Sequence, residues 1–215
     1  GQDELVFDGH SLIIDERGQT VARGHQFQED FVVADLDLDG VFSRRLHDPR
    51  RREEKARLRG EEAAVPAIEL LDTRRLPENK PAIPARELPL FEPVPEVYQA
   101  LLTGTRDYVQ KNGFRKVVIG LSGGVDSALV AAIAADALGP DNVVGVFMPS
   151  RFTSTISAED TAALAANLGI DLRTIPIDPV FESYLATLAP SFTGRPPDVT
   201  EENLQARIRG NLLMA

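Results

Sequence analysis

The chain has 215 residues, a net charge of −10 at neutral pH and no cysteine. The acidic balance argues against a nucleic-acid-binding surface, which needs clustered cations, and the absence of cysteine excludes disulfides, thiolate metal sites and a cysteine nucleophile within these residues. No apolar run approaches the roughly 20 residues of a membrane span and no signal peptide is evident, so a cytoplasmic protein without membrane contact is expected. The chain opens GQDELVFDGH, already in strand-like alternation, and stops at NLLMA without a helix C-cap, so both ends are expected to be cuts through a larger protein.

Residues 1–42 read as β-rich. Strands are expected at Leu5–Phe7, Ser11–Ile14 and Phe31–Leu36, with Asp15-Glu16-Arg17-Gly18 as a hairpin turn. Three such strands do not make a stable unit alone, so they are expected to complete a sheet elsewhere. Residues 43–92 read as a connector: Ser43–Arg59 is dense in charge and helical in pattern, and PAIPARELPLFEPVPE is held extended by its prolines.

Residues 93–215 alternate helix and strand. A helix is expected over Pro95–Lys111, with Val97, Leu101 and Tyr108 on its apolar face. Strands follow at Lys116–Leu121, Val143–Met148 and Leu172–Ile177, each short, continuous and β-branched like a buried parallel strand. Between them lie helices at Ser127–Leu138 and Ser157–Leu168. Ser157 with Asp160 suggests a capping box, and Gly169 suits the position after the helix end. The β-α-β-α-β order implies an α/β fold with a Rossmann-like parallel sheet.

The junction VVIGLSGGVDSALVAA sits where such a sheet binds ligands, beyond the carboxyl end of a strand. Gly123 and Gly124 permit a tight turn, successive N–H groups form an anion nest at the helix start, and Ser122 and Ser127 add hydroxyls. A phosphate chain is the natural guest. The spacing fits neither the Walker A motif nor the dinucleotide fingerprint. Asp126 would repel polyphosphate unless a cation lay between them, which points to Mg²⁺ held by Asp126 and phosphate oxygens.

SGGVDS after a strand resembles the PP-loop of the ATP pyrophosphatase family, which cleaves ATP between its α and β phosphates. The resemblance implies ATP contacts from Gly120, Leu121, Ser122, Gly123, Gly124, Val125, Asp126 and Ser127. Downstream, DVTEENLQARIRGNLLMA reads as a helix that Thr200 could cap, with Leu204, Ile208 and Leu212 facing a core. Asn203, Arg207, Gly210 and Asn211 share another face, which the residues alone leave open as either solvated or binding. E-N-x-Q-A-R-x-R-G resembles the NAD synthetase family, and VGVFMPSRFTS resembles that family's adenine-proximal strand end. The likeness implies deamido-NAD⁺ contacts from Asn203 and Arg207, and places Phe147 and Met148 near ATP. GQDELVFDGHSLIID and RRLHDPRRR resemble the end of the nitrilase-type glutaminase domain fused to glutamine-dependent NAD synthetases, an α/β sandwich.

The resemblance covers almost the whole chain. It implies that residues 1–42 end a glutaminase domain and 93–215 begin a PP-loop synthetase domain. It implies a ligase that amidates deamido-NAD⁺ to NAD⁺ through an NAD-adenylate, with ammonia from glutamine, as a homo-oligomer. The glutaminase Glu-Lys-Cys triad would precede Gly1 and the T-G-N-K-S-E segment would follow Ala215, so no catalytic residue is assigned within the chain. Alternatives are another PP-loop amidotransferase, such as a GMP synthetase, or an inert fragment if the chain truly ends at Ala215. Asp35–Gly40 matches half of an EF-hand loop, but Leu46 stands where the bidentate acid belongs, so a strand with outward acids is expected. The basic run 44–59 lacks interleaved aromatics and reads as a linker helix or ion-pair surface. His10, His25 and His47 show no metal spacing.

Overall fold

The computed structural model describes residues 5–50, 81, 83–84, 86, 88–194, 196 and 198–215. Residues 51–59 of the expected charged helix lie outside them. The chain divides into two compact units, one formed by residues 8–91 and the other by 92–215 with the segment up to Phe7.

In the first unit, Leu12–Ile14 (β1) pairs antiparallel with Thr20–Arg23 (β2). The Asp15 carboxylate makes the turn, accepting from the amides of Arg17 and Gln19 at 2.8 Å each. These bonds, Gln19 first, hold its carboxyl below the usual range. The tight return makes Thr20–Arg23 the partner of β1. Leu5–Phe7 and Phe31–Leu36, expected as strands, form none, and Phe31 is exposed. The expected acidic strand at Asp35–Gly40 is also corrected. Asp37 caps helix Leu38–His47 (α1), accepting from the amides of Asp39 and Gly40 at 3.0 Å. Among the described residues no group of three or more His, Cys, Asp or Glu is placed to hold a metal.

The second unit opens with Pro93–Lys111 (α2), two residues earlier than expected because proline is accommodated in a first turn. Its buried face is Leu102 and Val109; Val97, Leu101 and Tyr108, the expected apolar face, are exposed. The helix is turned this way by its contacts with Val125–Leu138 (α3): Tyr98 Oη donates to Asp136 Oδ2 at 2.6 Å, and Arg106 Nε donates to the Ala137 carbonyl at 3.2 Å.

Val117–Leu121 (β3), Val143–Phe147 (β4) and Asp171–Thr174 (β5) form a parallel sheet in the order β3-β4-β5. Val117 stands opposite Val143, and Val144 opposite Asp171. The crossovers are α3 and Thr155–Leu168 (α4). One core joins Leu121, Val143, Ala131, Ala135 and Ala165. A second joins Val146, Met148, Ile177, Phe181 and Ile208, using Asp178–Leu188 (α5) and Val199–Met214 (α6). β4 contributes to both cores, which explains its unbroken apolar run. Alanines on α3 let that helix lie close to the strands.

The ladder ends at Thr174 rather than at Ile177. The amides of Ile175 and Ile177 still donate to the carbonyls of Phe147 and Pro149, but Pro176 has no N–H to continue the pattern. α5 follows directly and was not anticipated; Pro179 in its first turn was the available signal. The cap of α4 is Ser154, whose Oγ accepts from Ser157 N at 3.1 Å, so the expected capping box at Ser157 does not form. Gly169 ends α4 in the left-handed region, as expected. α6 is capped by Asp198 rather than Thr200: Asp198 accepts from Thr200 N, and Glu201 reaches back to Asp198 N, at 2.7 Å each. Among the described residues no helix is long and apolar enough to cross a membrane.

Ile177 is fully enclosed at 0% exposure. Replacing it with alanine should lower unfolding free energy by about 2–5 kcal/mol in a denaturant titration, through lost burial and the cavity left behind. Hydrogen bonds from Thr200 lower the Asp198 pKa. Its capping contribution is therefore complete above the unfolded value and lost as pH falls through the lower folded one. A carboxyl NMR titration should place the Asp198 midpoint below that of the same residue in the unfolded chain.

Candidate nucleotide-binding site

The loop Ser122–Gly124 links the end of β3 to the start of α3, with Gly124 as N-cap. Gly123 has φ +81°, and a Cβ there would lie 2.8 Å from both Cα and the carbonyl oxygen of Ser157. Both conformation and space therefore require glycine, and the loop is wedged against the first turn of α4. The serines brace it internally. Ser122 Oγ accepts from Gly124 N at 3.2 Å and lies 3.1 Å from Ser127 Oγ. Ser127 Oγ donates to the Gly124 carbonyl at 2.9 Å and accepts from Ser122 N at 3.3 Å. The hydroxyls read from sequence as ligand donors thus hold the turn open, leaving the first-turn amides of α3 to face an anion. Val125 and Asp126 are exposed at this helix start.

Gly120 precedes the loop inside β3, where a Cβ would sit 3.1 Å from Leu213 Cδ1 of α6. Leu121 is buried in the α3–α4 core. Both position the loop. Phe147 and Met148, adjacent in sequence, point to opposite faces of the sheet. Phe147 lines a cleft of about 410 Å³ with Pro149, Ser154, Ala158 and Thr174, at the ends of β4 and β5 beside the start of α4. The Met148 side chain lies in the opposite core, and only its carbonyl takes a polar contact, from Arg209 Nε at 3.1 Å.

Asn203 and Arg207 occupy the exposed face of α6 one turn apart, with Arg207 Nη1 donating to the Asn203 carbonyl at 3.3 Å. No hydrogen bond joins them to the Ser122–Ser127 loop among the described residues. Three residues passed over in the sequence stand out instead. Arg151 binds Asp178 and Glu182, tying the exit of β4 to α5; its pKa is raised, by Glu182 first and Asp178 second. Gln205 and Arg209 lie on the inner side of α6. The signal for Gln205 was a polar residue three before Ile208 on the core-facing side. Arg209 was legible only as the second arginine of QARIRG, two positions from Arg207 and so on another face.

The group these residues could hold through the loop is a polyphosphate. A cation beside it would rest on Asp126 together with the ligand's own oxygens, because the described residues contain no larger cluster of potential metal ligands.

The sequence model of the NAD synthase family matches residues 97–215. The glutamine-dependent NAD(+) synthetase of Thermotoga maritima is 53% identical over 216 residues, covering 100% of this chain and 36% of the relative. That of Aquifex aeolicus is 45% identical, covering 99% of the chain and 36% of the relative. The chain thus spans about a third of the length of these curated relatives. Among solved structures, the glutamine-dependent NAD⁺ synthetase of Acinetobacter baumannii in complex with ADP superposes with a TM-score of 0.70 at 37% identity, over 100% of this chain and 33% of that one. The NMN synthetase of Francisella tularensis superposes with a TM-score of 0.52 at 31% identity, over 58% of this chain and 49% of that one. With a family match over residues 97–215, which hold the parallel sheet and the Ser122–Gly124 loop at the end of its first strand, the chain belongs to the NAD synthase family.

Proposed function

We propose that the protein carrying this chain amidates deamido-NAD⁺ to NAD⁺ at the expense of ATP, with ammonia drawn from glutamine. The observation that carries this reading is the Ser122–Ser127 loop, whose glycine conformation and serine bracing aim helix-start amides outward beside the exposed Asp126. The ADP complex of the Acinetobacter baumannii relative supports an adenine nucleotide as guest. The similarity of this chain, along its own length, to glutamine-dependent NAD(+) synthetases supports glutamine as nitrogen source and NAD⁺ as product. The reading places the reaction in the cytoplasm. Exposed Val94, Val97 and Tyr108 on α2 support burial against further protein, in keeping with a homo-oligomer.

In this reading the loop and the first turn of α3 hold the ATP phosphates. A nicotinate carboxylate oxygen attacks the α-phosphorus, the bond to the bridging oxygen breaks, and pyrophosphate leaves. Ammonia then attacks the carbonyl carbon of the adenylate, AMP departs, and the spare proton passes to solvent. The residues act by positioning and charge stabilisation rather than acid–base transfer. A single exposed carboxylate suits Mg²⁺, which keeps most of its shell as water and phosphate, so Asp126 is the residue that would hold it. The ion would neutralise charge on the phosphates and on the departing pyrophosphate. Asn203 and Arg207 are proposed to contact deamido-NAD⁺ from the exposed face of α6.

NAD⁺ formation from deamido-NAD⁺, Mg-ATP and ammonium salt tests the reading without requiring the glutaminase step. Asp126→Ala should reduce it by about a hundredfold or more, and retained activity would remove Asp126 from the metal role. Gly123→Ala should raise the KM for ATP and lower thermal stability together, because its Cβ meets the backbone of Ser157. The similarity to NMN synthetase favours one second reading, a mononucleotide acceptor. Amide formation on nicotinate mononucleotide in preference to the dinucleotide would establish it, and turnover of a purine mononucleotide instead would indicate a GMP synthetase-like enzyme.

A further inference from the structure

The chain leaves β4 through the turn Ser150–Thr153, which closes on itself. Thr153 N donates to the Ser150 carbonyl and Ser150 N donates to Thr153 Oγ1, at 2.9 Å each. Ser154 follows at once as the cap of α4, its Oγ 3.1 Å from Ser157 N and 2.9 Å from Ser157 Oγ. Ser157 is the residue that Gly123 of the Ser122–Gly124 loop packs against. Such a turn is rigid in itself, but its internal bonds do not fix where it stands; a tether to another element does. Arg151 supplies that tether. Its backbone N and its Nε donate to Asp178 Oδ1 at 3.2 and 3.4 Å, and its Nη2 donates to Glu182 Oε1 at 2.5 Å. Asp178 and Glu182 are one turn apart on α5 and share a face, so one planar guanidinium reaches both. α5 is a firm support, because Ile177 just before it and Phe181 within it are 0% and 2% exposed.

We propose that Arg151 is a positioning residue for the Ser122–Gly124 loop: by holding the Ser150–Thr153 turn to α5, it fixes the first turn of α4 and with it the loop that Gly123 packs there. The path is continuous, from Asp178 and Glu182 through Arg151, the turn and the Ser154 cap to Ser157 and Gly123. Each link beyond the chain itself is a hydrogen bond or a contact with no room for an added atom. The Arg151 side chain is 47% exposed, and an exposed ion pair adds little to global stability. Its effect is therefore local, on where the turn stands rather than on whether the protein folds. A side chain spent on two carboxylates of a neighbouring helix acts through that helix, not on a ligand. The inference rests on the proposed reaction for its enzymatic readout, since in that reading the loop holds the ATP phosphates. The mobility of the loop can be read without any reaction.

The test compares Arg151→Met, Arg151→Lys, Glu182→Gln and the double variant Arg151→Met/Glu182→Gln in the full-length protein. Arg151→Met should raise the KM for ATP about fivefold and leave the thermal midpoint in place. Arg151→Lys, which keeps the charge but loses the fork, should fall between it and wild type. Glu182→Gln should move the KM in the same direction. The double variant should be no worse than Arg151→Met alone, because both substitutions break one tether. Amide hydrogen exchange over residues 122–127 and 150–157 should quicken in the same order. A loss in Arg151→Met with none in Glu182→Gln would mean that the guanidinium meets the nucleotide directly, and would overturn the proposal. Unchanged KM values with unchanged exchange would overturn it as well. Wild type that makes no NAD⁺, while exchange at the loop still responds to Arg151 and Glu182, keeps the positioning role and rejects the activity.

Discussion

The burial of β4 on both faces is the constraint on which the synthetase-like unit depends. Val143 belongs to the core under α3 and α4, while Val146 and Met148 belong to the core under α5 and α6. A strand sealed on both sides has no freedom to slip, because a one-residue shift would exchange every side chain between the two cores. The ends of β3 and β4 are thereby held in register, with Leu121 opposite Phe147. The Ser122–Gly124 loop and the strand exit both spring from that fixed edge.

Glycines convert this rigidity into close approach. Gly145 lies under Leu121, where an added Cβ would be 2.7 Å from Cδ1, and Gly120 lies under Leu213. Gly123 then presses the loop against the first turn of α4. The serines satisfy the polar groups that so sharp a turn would leave unpaired. Helix-start amides and the Asp126 carboxylate are left at the surface, and that unequal distribution of satisfied and unsatisfied groups is what gives the loop its chemistry.

α6 divides its residues among three surroundings. Ile208 seals a core, Asn203 and Arg207 face outward, and Gln205 and Arg209 border a cleft. Arg209 also bonds the Met148 carbonyl, so the helix is fastened to the strand end it borders. A shift of α6 along its axis would disturb this contact and the exposed face together.

The α/β class, the three parallel strands, the tight turn at Ser122–Gly124 between strand and helix, and the fate of Leu204, Ile208 and Leu212 were legible in the sequence, because each is written in local periodicity or in a short glycine-bearing motif. The same local reasoning misread Phe31–Leu36 as a strand, and it misjudged the buried face of α2, which is set by Asp136 and Ala137 on another helix. Caps moved by two or three residues because Ser154 and Asp198 reached the free amides first. The inward turn of Gln205 and Arg209 was decided by tertiary structure, by the packing of α6 on the exit of β4. Residue order determines which elements form; which atoms remain unpaired at a site depends on what distant elements bring against them.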